Sequence, residues 1–175
     1  MKDILEKAAH IKLLIFDVDG VLTDGSLFIG DDGQEYKAFH SQDGHGIKML
    51  QKHGVRCAII TGRTSKVVEY RTRNLGIDPE LVWQGQHDKL QGFAALLKQT
   101  GLQADEIAYL GDDVVDLPVM QKVGLAVAVQ DAHAFVLKHS HWQTPRAGGR
   151  GAARDLCEMI MEARGVLQQE LESYL

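Results

Sequence analysis

Short apolar runs recur along the chain, and each ends abruptly in polar residues or glycine. An uninterrupted run of this kind is typical of a strand that is buried on both faces, as in a parallel sheet. The predicted strands cover residues 13–16, 55–60, 81–84, 107–110 and 125–129, with a short edge strand at 141–144.

Segments with helical spacing of apolar residues lie between these runs. The predicted helices cover residues 2–9, 47–53, 65–75, 88–100, 117–123, 132–139 and 152–164. Alternation of strands and helices without repeats predicts an α/β fold with a doubly wound parallel sheet. We expect residues 1–175 to form a single domain that ends in a glycine-rich tail and helix at 147–175.

Residues 24–39, after the first strand, form a predicted β-hairpin insertion. The turn Gly30-Asp31-Asp32-Gly33 lies between two extended segments, which is a strong hairpin signal. The insertion carries more apolar surface than a lone ribbon should expose in water. Its apolar residues are Leu27, Phe28, Ile29, Tyr36 and Phe39. We therefore expect the hairpin to pack against another surface, for which a second subunit is a candidate.

Composition and charge narrow the classes of function. The chain has 45% hydrophobic residues and a net charge of -5, and binding to a nucleic-acid backbone normally needs a basic surface. No run reaches the length of a membrane span, and residues 1–6 lack the apolar core of a signal peptide. Cys57 and Cys157 lie in apolar settings and are predicted to be buried free thiols. We expect a cytoplasmic protein with no nucleic-acid or membrane partner.

Candidate chemistry begins at the end of the first strand, where Asp17 and Asp19 point to the same side and Val18 points away. Ligands of open α/β sheets bind beyond the carboxyl ends of the strands. Two carboxylates so close repel each other, and a hard divalent cation relieves that repulsion. The alternative is an acidic turn with solvated charges, because aspartate and glycine also favour turns.

Three further polar groups follow strands or begin helices. Thr61 begins a turn, and its hydroxyl and the backbone amides of the turn could hold phosphate oxygens. The alternative is that Thr61 is an ordinary helix cap. Lys89 begins a helix and is by default a surface lysine. Asp112, followed by Asp113 and Asp116, completes an oxygen-rich magnesium site with the first two aspartates, or forms another solvated turn. Each group alone is weak evidence of function. In this order, and at one rim of the sheet, the groups together strongly indicate a single functional site.

The order Asp-x-Asp, Thr, Lys, Gly-Asp-Asp across residues 11–120 is similar to the four motifs of the haloacid dehalogenase superfamily of phosphohydrolases. The resemblance implies that Asp17 attacks phosphorus to form an aspartyl-phosphate. Asp19 would protonate the leaving alcohol and then activate water. Thr61 and Lys89 would hold the transferring phosphoryl group.

The same resemblance implies a magnesium ion held by Asp17, the Asp19 carbonyl and Asp112. Asp113 and Asp116 would orient these groups without binding the metal. Members that act on small substrates usually carry a cap domain, whereas here only the hairpin follows the first motif. The chain is therefore expected to be capless, with walls of its site supplied by neighbouring subunits.

Across nearly its whole length the chain resembles a capless, tetrameric branch of this superfamily, which acts on 3-deoxy-D-manno-octulosonate 8-phosphate in lipopolysaccharide synthesis. Matching segments include residues 16–25, 43–47, 84–86 and 109–113, and Gly148-Gly149-Arg150-Gly151 is fairly specific to the branch. The resemblance implies a magnesium-dependent phosphatase that is a homotetramer and binds a phosphorylated sugar acid.

Carried over by position, the resemblance also implies a sugar-acid pocket, since arginine forks suit phosphate and carboxylate. The pocket would be lined by Asp19, His40, Ser41, Gln42, Asp43, Gly44, Lys48, Arg63, Arg71, Lys89 and Arg150. For Arg71 the alternative is an exposed helix residue, and for Arg150 a place in a flexible linker.

One position departs from the branch, which usually has Asn/His-Val-Arg-Asp-Gly where this chain has His40-Ser41-Gln42-Asp43-Gly44. Because Gln42 replaces the usual arginine, the residue that would bind the substrate's carboxylate is left open, and with it the identity of the sugar. The alternatives are a nine-carbon, sialic-acid-type 9-phosphate, a protein substrate for a capless phosphatase, or a regulatory oligomer that kept the motifs.

Overall fold

The computed structural model describes residues 2–175 and contains one six-stranded sheet and one small ribbon. The sheet consists of β1 (Leu13–Phe16), β4 (Arg56–Ile60), β5 (Val82–Trp83), β6 (Ile107–Gly111), β7 (Leu125–Ala128) and β8 (Trp142–Gln143). Its strand order is β5-β4-β1-β6-β7-β8, and every neighbouring pair is parallel. The ribbon pairs β2 (Phe28–Ile29) with β3 (Glu35–Tyr36) in antiparallel fashion.

Eight α-helices accompany these strands within residues 2–175. They are α1 (Lys2–Ala9), α2 (Ser41–Lys52), α3 (Lys66–Leu75), α4 (Lys89–Thr100), α5 (Leu117–Met120), α6 (Ala134–Lys138), α7 (Ala152–Ala163) and α8 (Leu167–Glu172). Helix α7 packs against α1 and α2, and α4 packs against α5. The predicted α/β class, the parallel sheet and the hairpin after the first strand are confirmed.

Strand β1 is the centre of the sheet, because it pairs with β4 on one side and β6 on the other. Its four side chains are completely buried, and burial of each stabilises the fold by roughly 1.5–3 kcal/mol. In this register Phe16 lies level with Ile59 and Leu110. The residues that follow the three strands therefore emerge at one edge of the sheet.

Helix α2 begins at Ser41, six residues before the predicted start, so that prediction was wrong. Gly44 and Gly46 suggested a loop, but both lie where another helix of the same chain approaches α2 closely. A Cβ at Gly46 would lie 2.7 Å from Arg154 Cδ, and one at Gly44 would lie 2.3 Å from Arg71 Nη2. Close packing against α7 and α3 thus outweighs the roughly 1 kcal/mol that each glycine costs a helix.

The C-terminal residues contain α8, which the apolar pattern did not predict. Its anchor is Glu170, a buried carboxylate that accepts hydrogen bonds from Lys52 (2.7 Å) and from the hydroxyl of Tyr174 (3.1 Å) and lies 2.8 Å from His53 Nε2. The bonds from Lys52 and His53 lower the pKa of Glu170 to about 2. This ion-paired carboxylate joins α8 to α2, while Leu167 at the start of α8 packs against the hydrophobic core.

Two remaining sequence predictions concern cysteines and membranes. Cys57 and Cys157 are both buried and both free thiols, as predicted. Across residues 2–175, no helix combines the length and the apolar character that crossing a bilayer would require.

Candidate active site

An open cleft of about 360 Å³ lies where β1, β4 and β6 end. Asp17, Thr61 and Asp112 each come directly after one of these strands, and all three line the cleft. Asp19 and Lys89 line it as well. The structure therefore gathers all five groups that the motif order selected, although they are spread over almost a hundred residues of sequence.

Lys89 is the cation of this cleft and not a surface lysine. Its side chain is 2% exposed, and its ammonium lies 2.7 Å from Asp17 Oδ2 and 2.6 Å from Asp116 Oδ1. Burial lowers the pKa of Lys89, but the two carboxylates outweigh burial and leave the pKa raised. The ammonium is therefore charged and fixes one oxygen of Asp17.

Asp116 is occupied by four donors. Its Oδ1 accepts bonds from Lys89 and from the hydroxyl of Tyr109, both at 2.6 Å. Its Oδ2 accepts the backbone N–H groups of Asp112 (2.9 Å) and Asp113 (3.2 Å). Asp116 thus holds Lys89 and the loop after β6 in place, and it has little capacity left for a metal ion.

The carboxylates of Asp17, Asp112 and Asp116 are close enough to share one cation, with one oxygen of each within 4.8 Å of the others. Burial, followed by repulsion from Asp116, raises the pKa of Asp17 to about 6. Burial and repulsion from Asp116 and Asp17 raise the pKa of Asp112 to about 8. Crowded carboxylate oxygens are the donors that magnesium prefers, so the residues fit the predicted ion.

Asp19 takes part in a second charge cluster that the sequence analysis did not identify. Its Oδ1 lies 2.5 Å from Lys37 Nζ, and the same ammonium lies 2.5 Å from Glu35 Oε1. Arg63 donates to Glu35 Oε2 at 2.6 Å and has its Nε 3.8 Å from Asp19 Oδ2. Glu35 lies in the hairpin strand β3, and Lys37 directly follows that strand.

Only Asp19, Arg63 and Lys89 of the predicted sugar-acid pocket line the cleft of this chain. Asp43 is buried and accepts the backbone N–H groups of Gly151 (3.2 Å) and Arg154 (2.9 Å), so it joins α2 to α7. Gly44 is also buried. Asp43 and Gly44 therefore lie where α2 meets its neighbouring helices, and neither residue lines the cleft.

The other predicted pocket residues lie outside the cleft too. Gln42 accepts a hydrogen bond from Arg146 at 3.1 Å, and Arg71 lies over the ring of Phe39, 5.5 Å from its centroid. Arg150 pairs with Asp24 at 2.8 Å. His40, Ser41 and Lys48 are likewise absent from the cleft lining of this chain.

The glycine-rich segment 147–151 packs against the loop that follows β1. Gly149 donates its N–H to Val21 O at 2.8 Å, and a Cβ on Gly148 would lie 1.8 Å from Gly20 O. Because only hydrogen fits at position 148, this close approach requires glycine. The segment supports the Asp17–Asp19 loop, and it is not a free linker.

Replacing Gly148 by Ala is expected to push these two loops apart. We expect a loss of about 1–3 kcal/mol in the free energy of unfolding, as for other overpacked sites, together with reduced turnover. Urea denaturation and a phosphatase assay measure the two effects. Gly165→Ala is the control. Its φ of +71° strains the backbone of an alanine, but no atom lies within 4 Å of the added Cβ. Equal effects of both variants on turnover would contradict the supporting role.

Comparisons with known proteins agree with this geometry. A family model of haloacid dehalogenase-like hydrolases matches residues 80–155. The chain is 46% identical to the 3-deoxy-D-manno-octulosonate 8-phosphate phosphatase KdsC of Escherichia coli K12 over 95% of its own length and 88% of that protein. The chain belongs to the 3-deoxy-D-manno-octulosonate 8-phosphate phosphatase family of haloacid dehalogenase-like hydrolases.

Solved structures of this phosphatase family share the fold. The enzyme from Yersinia pestis superposes with a TM-score of 0.92 at 46% identity, over 95% of this chain and 89% of that one. The enzyme from Moraxella catarrhalis, in complex with a magnesium ion, a phosphate ion and a KDO molecule, gives a TM-score of 0.96 at 38% identity. That comparison covers 100% of this chain and 99% of the other.

Proposed function

We propose that the chain hydrolyses 3-deoxy-D-manno-octulosonate 8-phosphate to the free sugar acid and phosphate, a step of lipopolysaccharide synthesis. The proposal rests on one observation. The Asp17 carboxylate is held by Lys89 and lines an open cleft together with Asp19, Thr61 and Asp112. The names of relatives that match 95% of the chain supply the substrate.

In the first step, the Asp17 carboxylate attacks phosphorus while the bond from phosphorus to the sugar oxygen breaks. Asp19 gives its proton to that oxygen, so the sugar acid leaves as an alcohol and an aspartyl-phosphate remains. In the second step, Asp19 takes a proton from water as the water oxygen attacks phosphorus. The bond to Asp17 then breaks, and phosphate and the Asp17 carboxylate are restored.

Thr61 and Lys89 bind the phosphoryl oxygens in this proposal. Both side chains are buried at the cleft floor, so their interaction with developing charge is little screened by water. A magnesium ion would be held by the carboxylates of Asp17 and Asp112 and by the Asp19 carbonyl. Bound there, it supplies positive charge that offsets the carboxylates and the phosphoryl oxygens.

Asp112→Asn is expected to abolish the stabilisation that magnesium gives the fold. An ion bound at 100 times its Kd stabilises the native state by about 2.7 kcal/mol, which raises Tm measurably. Thermal unfolding with and without magnesium measures this difference, and the variant should show almost none. Asp113→Asn is the matched control, because Asp113 is exposed and its carboxylate caps Val114. A magnesium response that survives in Asp112→Asn would remove Asp112 from the metal site.

The substrate is tested by phosphate release, with magnesium, from a panel of sugar phosphates. The panel contains the eight-carbon keto-acid phosphate, a nine-carbon analogue and simple hexose phosphates. Strong preference for the eight-carbon acid supports the proposal despite Gln42. Preference for the nine-carbon acid would show that its phosphate, and not the eight-carbon one, is the substrate. Uniformly weak release would point to a protein substrate.

We also propose that the enzyme is a cytoplasmic homotetramer whose hairpin contacts a neighbouring subunit. Four apolar hairpin side chains are exposed by about half or more: Leu27 (49%), Phe28 (56%), Ile29 (63%) and Tyr36 (60%). Surface of this kind is typical of a subunit interface. The two buried free thiols fit a reducing compartment.

The double variant Phe28→Ser/Ile29→Ser is expected to dissociate this assembly, since it removes two apolar side chains from the centre of the proposed interface. Size-exclusion chromatography with light scattering measures the mass. Leu171→Ser, at a 40% exposed residue of α8, is the control and should leave the mass unchanged. A double variant that keeps the wild-type mass would place the interface elsewhere.

A further inference from the structure

Lys37 has the most deeply buried charged side chain of the hairpin, and its ammonium contacts Asp19, which lines the cleft. Its side chain is 1% exposed, and its ammonium lies between Asp19 Oδ1 and Glu35 Oε1, 2.5 Å from each. No other cation in the described residues comes within 2.5 Å of Asp19, since Arg63 Nε is 3.8 Å away. Lys37 is therefore the main partner of the Asp19 carboxylate.

The alternation of side chains along an extended strand explains how the hairpin delivers this lysine. Glu35 and Lys37 point to one side, and Tyr36 between them points to the other. Tyr36 is accordingly 60% exposed, whereas the side chains of Glu35 and Lys37 are only 18% and 1% exposed. One face of the segment thus meets the catalytic loop, while the opposite face is free to meet a partner.

Glu35 gives the cluster its geometry. It lies between two cations, with Lys37 on Oε1 and Arg63 on Oε2. The hydrogen bonds from Lys37 and Arg63 lower the pKa of Glu35, so it stays ionised. The two carboxyl groups alternate with the two basic side chains around the cluster, so the buried Lys37 ammonium has a partner on each side. A partnered ammonium is retained there at lower cost than a lone buried lysine would be.

We propose that Lys37 is a positioning residue for Asp19, anchored by Glu35, and that the hairpin thereby controls proton transfer to the leaving group. This inference rests on the proposed function of Asp19 as general acid and base. Proton transfer requires the acid to lie within hydrogen-bond distance of the leaving oxygen. An aspartate side chain that can rotate freely at the cleft rim spends less time in that geometry, and misplacement by about 1 Å can cost about 100-fold in rate.

The test compares two leaving groups, because only one of them needs a proton. A sugar alcohol is a poor leaving group without protonation, whereas 4-nitrophenol leaves as a stable anion. The ratio kcat/KM reports the steps up to the aspartyl-phosphate, in which Asp19 acts as acid. For Lys37→Met we expect kcat/KM to fall about 100-fold for 3-deoxy-D-manno-octulosonate 8-phosphate and less than about fivefold for 4-nitrophenyl phosphate.

Two further variants make the result interpretable. Lys12→Met is the matched control, since Lys12 is a 60% exposed lysine paired with Glu106 before β1, and both activities should persist. Glu35→Gln removes the anchor but keeps Lys37, and it should show the same selective loss at smaller size. This variant preserves the test should Lys37→Met fail to fold, which circular dichroism would reveal.

A double-mutant cycle with Asp19→Asn separates positioning from other roles. If Lys37 acts through Asp19, Lys37→Met adds no further loss when Asp19 is already Asn. An additional loss of the same factor, or equal losses for both substrates in the single variant, would overturn the inference. The proposed function fails separately, namely if the wild-type enzyme releases phosphate from neither ester.

Discussion

Asp17→Asn is expected to abolish phosphatase activity while leaving the fold intact. An amide cannot attack phosphorus, so no aspartyl-phosphate forms and no partial route replaces it. Removal of a covalent nucleophile in other enzymes costs up to about a millionfold in kcat, and we expect a loss of at least about 10⁴-fold here. Phosphate release and acid-quench trapping of the phosphoenzyme measure the two consequences.

The fold should tolerate this change because the carboxylate of Asp17 is not what holds the site together. Asparagine keeps the shape, and Lys89 retains Asp116 as its second partner at 2.6 Å. Asp3→Asn, at an exposed aspartate of α1 that does not line the cleft, is the control and should keep its turnover. Phosphoenzyme that still accumulates in Asp17→Asn would show that another residue is the nucleophile.

Lys89→Met is expected to cost both activity and stability, because this ammonium compensates two buried carboxylates at once. Removing one partner of a buried pair leaves an uncompensated charge and typically costs about 3–5 kcal/mol. Loss of a cation that binds the phosphoryl group should lower kcat by about 100-fold or more. Urea denaturation and turnover with the sugar-acid phosphate measure the two losses.

A second substitution separates the two losses. In Lys89→Met/Asp116→Asn the amide oxygen can accept the backbone N–H groups of Asp112 and Asp113, while the amide NH₂ faces the Tyr109 hydroxyl. We expect the double variant to regain much of the stability and none of the activity. Lys98→Met, at an exposed position of the same helix, should change neither quantity. A fully stable Lys89→Met single variant would contradict the compensating role.

Much of the architecture was predictable because it depends on local properties of the chain. Completely apolar runs such as Leu13–Phe16 require burial on both faces, and that requirement selects a parallel sheet with helices around it. Polar residues directly after such strands share an edge for the same reason. Asp17, Thr61 and Asp112 were therefore placed together from sequence order alone, and the structure shows them lining one cleft.

What the tertiary structure decided are the contacts between segments that are distant in sequence. The bond from Arg154 N–H to Asp43 Oδ1, between residues 111 positions apart, joins α7 to α2, and the sequence pattern gave no indication of it. The pairing of Lys37 with Asp19, 18 positions apart, likewise depends on how the hairpin packs against the loop after β1. Side-chain periodicity determines which face of an element is buried, but a charge finds its partner only after packing has set the distance and the exclusion of water.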